Sequence, residues 1–160
     1  EVRTRAYVGY TKEALYVGFR GHDAHPDSLV VKTHEFDGAV WWEDIIELYL
    51  DANFDHKSYV HIGINSIGVV SDAWHPVGWR SQDTSWNADA AVAAYVGEDF
   101  WSLECELRFG QKELPWPRPG DIWGFNIIRT FRGSEYSQWV RTYSSSTAHA
   151  PDDFGLLVFN

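Results

Sequence analysis

Apolar and polar residues alternate with a period of two along most of this chain, the pattern of strands whose successive side chains point to opposite faces. Residues 3–9 alternate loosely. Thr11-Lys12-Glu13 then supplies a turn, and Leu15, Val17 and Phe19 alternate with Tyr16, Gly18 and Arg20, so a β-hairpin is expected. Short strands are predicted at 29–33, 45–51, 59–65 and 69–70. Further strands are predicted at 88–95, 100–109, 123–128, 138–143 and 155–159. Between them lie segments rich in Gly, Pro, Asp, Asn and Ser. Leu114-Pro115-Trp116-Pro117 in particular forbids regular helix or central strand. About ten short strands and no amphipathic helix predict an all-β fold, an antiparallel β-sandwich of the jelly-roll or immunoglobulin-like two-sheet type.

The length of 160 residues suits one domain, 1–160, with room for a sizeable core. A formal net charge of -10, from 23 acidic and 13 basic residues without a Lys/Arg cluster, argues against a nucleic-acid backbone or an anionic membrane as partner. No apolar run approaches a membrane span, so no membrane insertion is expected. The single cysteine, Cys105, cannot form an internal disulfide, and its place in an apolar alternation predicts burial. With no methionine and no signal peptide, the chain is expected to be a processed or excised piece of a longer protein. Nine Trp, eight Tyr and nine Phe favour strands and supply stacking surfaces.

The stretch Trp41-Trp42-Glu43-Asp44-Ile45-Ile46-Glu47-Leu48-Tyr49-Leu50-Asp51 concentrates the candidate chemistry. Ile46, Leu48 and Leu50 form a row to be buried, which leaves Ile45, Glu47, Tyr49 and Asp51 on the presented face. Two indoles beside a carboxylate suit a sugar, whose C–H groups stack on rings while its hydroxyls take hydrogen bonds; the alternative is that both tryptophans close the end of a core. The polar loop 72–87 carries Trp74, Trp79 and Trp86, either as a contact surface or as its own small core. Asp51, Asn53 and Asp55 have the spacing that begins a calcium loop. His56 and Ile62 stand where an EF-hand needs Gly and Glu, so an irregular cation site or a solvated turn remains. His22-Asp23-x-His25 reads as a metal-capable or simply polar surface turn.

Leu15-Tyr16-Val17, Asp23 and the series Trp41, Asp44, Glu47, Asp51 are followed by Asn65, Trp101-Ser-Leu-Glu104, Gly124-Phe-Asn126 and Pro151-x-x-Phe154-Gly155. In that order they resemble carbohydrate-binding module family 9 and its relatives over nearly the whole chain, without the segment that usually leads those domains. The resemblance implies a β-sandwich that holds poly- or oligosaccharide between two tryptophans, with structural calcium and no organic cofactor. It also implies an accessory domain of a larger extracellular or cell-surface chain. By position Trp41 resembles the first clamp tryptophan, with Trp42 beside it. Glu47 resembles the carboxylate that bonds sugar hydroxyls, and Asn65 an amide partner. His61, Asn126 and Tyr143 complete the expected ligand-binding set, and Asp51, Asn53 and Asp55 the expected metal set. The family's second tryptophan falls at Ala148 here and its arginine at Gly63. His61, Tyr143, His149 or a loop tryptophan is then the candidate replacement.

Other functions would leave other marks in the sequence. Glycoside hydrolysis requires two carboxylates across the bond, and Glu104 and Glu106, the acids available besides Glu47, read as a solvated strand face. No nucleophile elbow, phosphate loop or cysteine pair is present, so no enzyme activity is expected. A haem site would have to be bis-histidine, since the chain lacks methionine and a Cys-x-x-Cys-His motif. A non-binding structural domain of a larger secreted or outer-membrane protein is the remaining rival.

Overall fold

The structure, a computed structural model, describes residues 3–145 and 147–160. Two antiparallel sheets pack face to face. The smaller sheet contains β1 (Thr4–Tyr10), β2 (Ala14–His22), β6 (Ala90–Val96) and β7 (Phe100–Arg108), in the order β1-β2-β7-β6. The larger contains β3 (Ile45–Asp51), β4 (Tyr59–Asn65), β5 (Val70–His75), β8 (Ile122–Phe131), β9 (Glu135–Gln138) and β10 (Gly155–Val158). Its order is β10-β8-β3-β4-β5, with β9 paired to the far end of β8. The helical pieces among the described residues are four single 3-10 turns, and none of them is long or apolar enough to cross a membrane.

The alternation explains the core. Leu15, Val17 and Phe19 of β2 and Trp101, Leu103, Cys105 and Leu107 of β7 face Ile46, Leu48 and Leu50 of β3, Val60, Ile62 and Ile64 of β4, and Trp123, Phe125 and Ile127 of β8. Burial pushes the Cys105 thiol up to about 12, so it sits there as a small neutral hydrophobe. β1 is exposed along its whole length, as an edge strand of the smaller sheet.

The larger sheet departs from simple alternation because both of its faces are covered. Every residue of β4 is buried, and the adjacent apolar pairs Ile45-Ile46 and Ile127-Ile128 belong to strands that bury both rows. On the outer face Tyr49, Tyr59, Ile128 and Phe154 make a second apolar cluster, with Ala148 against it. The row expected to be presented on β3 is therefore mostly closed off: Ile45, Tyr49 and Asp51 are buried and Glu47 is half-buried.

Two predicted strands are absent. Residues 29–33 form none; instead they serve as acceptors and donors for their neighbours, Val30 N–H bonding Asp44 Oδ2 at 2.8 Å and the Thr33 carbonyl accepting from Asn65. Residues 139–143 are likewise irregular: β9 ends at Gln138, although Trp139 N–H still donates to the Ile127 carbonyl of β8 at 2.9 Å. The buried Asn126 holds this segment in place, donating to the Val140 carbonyl at 2.9 Å and accepting from Val140 N–H at 3.0 Å. Conversely, β5 extends through Trp74 and His75, which had been assigned to a loop.

Asp72 on β5 occupies a core-side position beside Ile62. It is buried, with Oδ2 accepting from Ala88 N–H at 3.1 Å and Oδ1 unpartnered, and burial raises its carboxyl to about 6. A raised acid holds more protons in the folded chain than in the unfolded one, so stability should fall as pH climbs from about 4 to about 6 and stay lower above. We expect Asp72→Asn to flatten this slope and to raise stability at pH 8 by about 1–2 kcal/mol without raising it at pH 4. Denaturant unfolding of both proteins at the two pH values checks this.

Candidate functional site

The connection from β2 to β3 ends in a single 3-10 turn, Val40–Trp42. Successive side chains of such a turn point about 120° apart. Val40 accordingly plugs into the protein, Trp41 lies half-buried along the sheet, and Trp42 projects outward with 66% of its surface exposed. Trp41 rests on β4 over Gly63, where a Cβ would come within 2.7 Å of its six-membered ring. The glycine at the position where the family resemblance calls for arginine is what lets this indole lie down. Its ring then packs on His61, centroids 4.6 Å apart, and His61 in turn stacks on Tyr49 at 4.2 Å and 14°.

Glu47 lies beside this row of rings, with 12% of its side chain exposed. Its Oε2 accepts from the Tyr49 hydroxyl and from His61 Nε2, both at 2.9 Å, and Thr130 Oγ1 lies 3.5 Å from Oε1. Burial alone would raise its carboxyl, but the bonds from His61 and Tyr49 outweigh this and hold it below the usual carboxylate range. Glu47 therefore stays ionised and acceptor-only at neutral pH.

These groups border a hollow of about 630 Å³ on the outer face of the larger sheet, a volume typical of small-ligand sites. Trp41, Trp42, Glu47 and His61 all line it, four of the seven expected binding residues. The other three lie elsewhere. Asn65 is fully buried and spends its amide closing the β4–β5 turn, donating to Thr33 and Glu43 and accepting from the N–H groups of Ile67 and Val69. Asn126 is committed to Val140, and Tyr143 is 77% exposed beyond the hollow with Arg141 over its ring.

The tryptophan-rich segment 72–87 is divided in the structure. Trp74 and Trp86 pack against the core, Trp86 also donating to Glu113, while Trp79 is 55% exposed and lines the hollow. Tyr136, Gln82, Gln138, Thr142 and His149 line it too. Ala148, at the place of the second clamp tryptophan, offers no ring, so the exposed aromatic walls are Trp42, Trp79 and Tyr136. Tyr136 carried no signal of its own in the sequence, because only the hairpin turn at Arg132-Gly133 brings β9 back beside the hollow. Both residues have positive φ, 52° and 69°, within a three-residue connection that returns Glu135 opposite Phe131.

Beneath the hollow three imidazoles converge. His61, His75 and His149 each bring one ring nitrogen to within 4.8 Å of the others. Tyr59 stacks on His75 at 4.6 Å, and its hydroxyl meets His149 Nδ1 at 2.8 Å. Burial, reinforced by the neighbouring imidazoles, lowers His75 to about 4 and His149 to about 3, so both are neutral at pH 7.

The expected calcium ligands are Asp51, the last residue of β3, and Asn53 and Asp55 in the β3–β4 connection. Asp51 accepts from the N–H groups of Asp55 and His56, and Asp55 accepts from those of Lys57 and Ser58 and from Ser58 Oγ. The Asn53 amide donates to Asp55. These bonds turn their own loop, and among the described residues no third carboxylate or imidazole joins Asp51 and Asp55 in a cluster. Asp23, of the His22–His25 turn, is buried and paired with Arg132 at 2.7 Å.

Solved structures with the same two-sheet fold include domains of carbohydrate-binding module family 9. One, from Caldicellulosiruptor kristjanssonii in complex with glucose, matches with a TM-score of 0.73 and 16% identity over 100% of this chain and 78% of its own. A second from that organism, in complex with cellotriose, matches at 0.72 and 16% over 99% and 75%. A Bacteroides uniformis protein, described as a candidate carbohydrate-binding protein, matches at 0.79 and 15% over 100% and 79%. No protein-family model and no curated protein sequence matches the chain.

The fit of Trp41 over Gly63 is open to test. Gly63→Ala should drive the indole off β4, with a loss of about 1–3 kcal/mol, since the added Cβ also meets Val40 at 3.1 Å. A thermal melt together with near-ultraviolet circular dichroism of the tryptophans reads both effects; an unchanged spectrum would mean that the ring is not seated there.

Proposed function

We propose that this domain binds carbohydrate and does not catalyse its cleavage. The observation that carries the reading is the hollow itself, where the exposed rings of Trp42, Trp79 and Tyr136 surround a floor holding an ionised, acceptor-only Glu47. A pyranose presents C–H faces that stack on indoles and hydroxyls that donate to a carboxylate, and Gln82, Gln138 and Thr142 add neutral partners around it. Glu47 is the only carboxylate among the described residues lining the hollow, whereas glycoside hydrolysis in most families uses two. The shared fold with sugar-bound family 9 domains supports the same reading. Poly- or oligosaccharide is the ligand class, and the domain acts as an accessory unit of a larger extracellular or cell-surface chain.

The sugar contacts fall on Trp42 and Trp79 rather than on Trp41, whose ring is engaged by His61 and the strand beneath it. With a few stacked rings and hydrogen bonds set against the cost of ordering a flexible ligand, the dissociation constant should lie between about micromolar and millimolar. Calorimetry or affinity electrophoresis against a panel of soluble glycans tests this. Trp42→Ala and Trp79→Ala should each weaken binding about tenfold or more, and Glu47→Gln should weaken it with little change in ring stacking. Binding that survives both tryptophan substitutions would move the site elsewhere, and no binding to any glycan would favour a structural role.

A further inference from the structure

Among the described residues His75 is the one side chain with two buried, unpartnered polar atoms. It is 1% exposed, and neither ring nitrogen has a partner at hydrogen-bonding geometry. The backbone of Gly78 and Trp79 lies near enough only to offset part of its desolvation. A buried polar atom without a partner costs about 1–3 kcal/mol, and a strand end in an aromatic cluster could hold a phenyl ring without that penalty. A group that takes a nitrogen lone pair would remove the share of that cost that falls on the unprotonated nitrogen.

The neighbours have the arrangement that such a group needs. His61 comes from β4, His75 from the end of β5 and His149 from the segment over the outer face, so three elements bring one nitrogen each to a common point. Metal-ligating histidines normally have their other ring nitrogen fixed by a carboxylate or another oxygen. Here Glu47 holds His61 Nε2 at 2.9 Å and the Tyr59 hydroxyl holds His149 Nδ1 at 2.8 Å. Glu47 can only accept, so the His61 proton is on Nε2 and the lone pair on Nδ1. A His149 that donates from Nδ1 to the Tyr59 oxygen likewise frees Nε2.

We propose that His61, His75 and His149 form a binding site for a divalent transition-metal ion, with zinc as the ion that suits them best. Imidazole nitrogens select such ions over calcium or magnesium, which take oxygen ligands. Zinc–nitrogen bonds of 2.0–2.1 Å in a tetrahedral site place ligand nitrogens about 3.4 Å apart, so the cluster, at 4.8 Å or less, has to contract by no more than about 1.5 Å. His61 and His149 also line the hollow, which gives the ion a path in and leaves room for a fourth ligand from that side. The site shares His61, His149 and the Glu47 hydrogen bond with the hollow, but none of its donors is a stacking tryptophan, so its test does not depend on whether sugar binds.

The test is calorimetric titration of the whole, chelator-stripped chain with zinc chloride, paired with thermal melts. We expect one ion per chain with a dissociation constant of about micromolar or tighter, and a melting temperature that rises with zinc. His149→Ala should weaken binding at least about 100-fold. His75→Phe keeps the ring against Tyr59 and removes both orphaned nitrogens, so it should melt at or above the metal-free wild type and show no zinc-induced rise. Absence of saturable binding to the wild type overturns the proposal. So does binding that persists at full strength in both variants, which would assign the ion to the exposed histidines.

Discussion

Glu47 is an acid kept ionised under a protein cover, and that requirement organises the outer face of the larger sheet. An almost enclosed carboxylate is tolerated only where donors reach it. Tyr49 does so from two residues along β3 and His61 from the diagonal position on β4, Glu47 being paired with Gly63 and Tyr49 with His61. Those two bonds fix the stack of Tyr49 on His61, the stack gives Trp41 a surface to lie on, and Trp41 leaves its neighbour Trp42 directed outward. The hollow is thus built upward from one acid.

A second electrostatic knot holds the rim. Asp44 and Asp23 are both buried, and Arg132 at the β8–β9 turn reaches each, at 3.4 Å and 2.7 Å. Its backbone N–H also donates to Asp44 Oδ1 at 3.0 Å. Since a buried carboxylate without its partner is strongly destabilising, the two acids and the arginine act as one unit that clamps the β2–β3 connection to the hairpin carrying Tyr136. Gly133 allows the approach, for a Cβ there would come within 2.5 Å of the Trp42 carbonyl oxygen.

The sandwich was legible because alternation at Leu15–Phe19, Trp101–Leu107 and Trp123–Ile127 states which rows face inward. What alternation cannot state is whether the opposite row is also covered, and this is where expectation and structure part on β3 and β4. The adjacent pairs Ile45-Ile46 and Ile127-Ile128 were the available sign that both faces are buried. The family-like positions were informative in an unexpected way. Asp23, Asp44, Asn65 and Asn126 satisfy turns and cross-connections instead of meeting the hollow, so much of the resemblance marks residues that make the fold. His75 and Tyr136 were out of reach because their proximity to Glu47 and His61 depends on chain reversals that no short window of sequence encodes.

The exposed rings around the hollow belong to separate pieces of chain. Trp42 comes from the β2–β3 connection, Trp79 from the link between the sheets after β5, and Tyr136 from a hairpin. None of them contributes to the interior that keeps the two sheets together. The rings at the rim and the side chains of the interior are therefore separate sets, and replacing one of the three rings would alter the wall of the hollow while leaving the packing between the two sheets as it is.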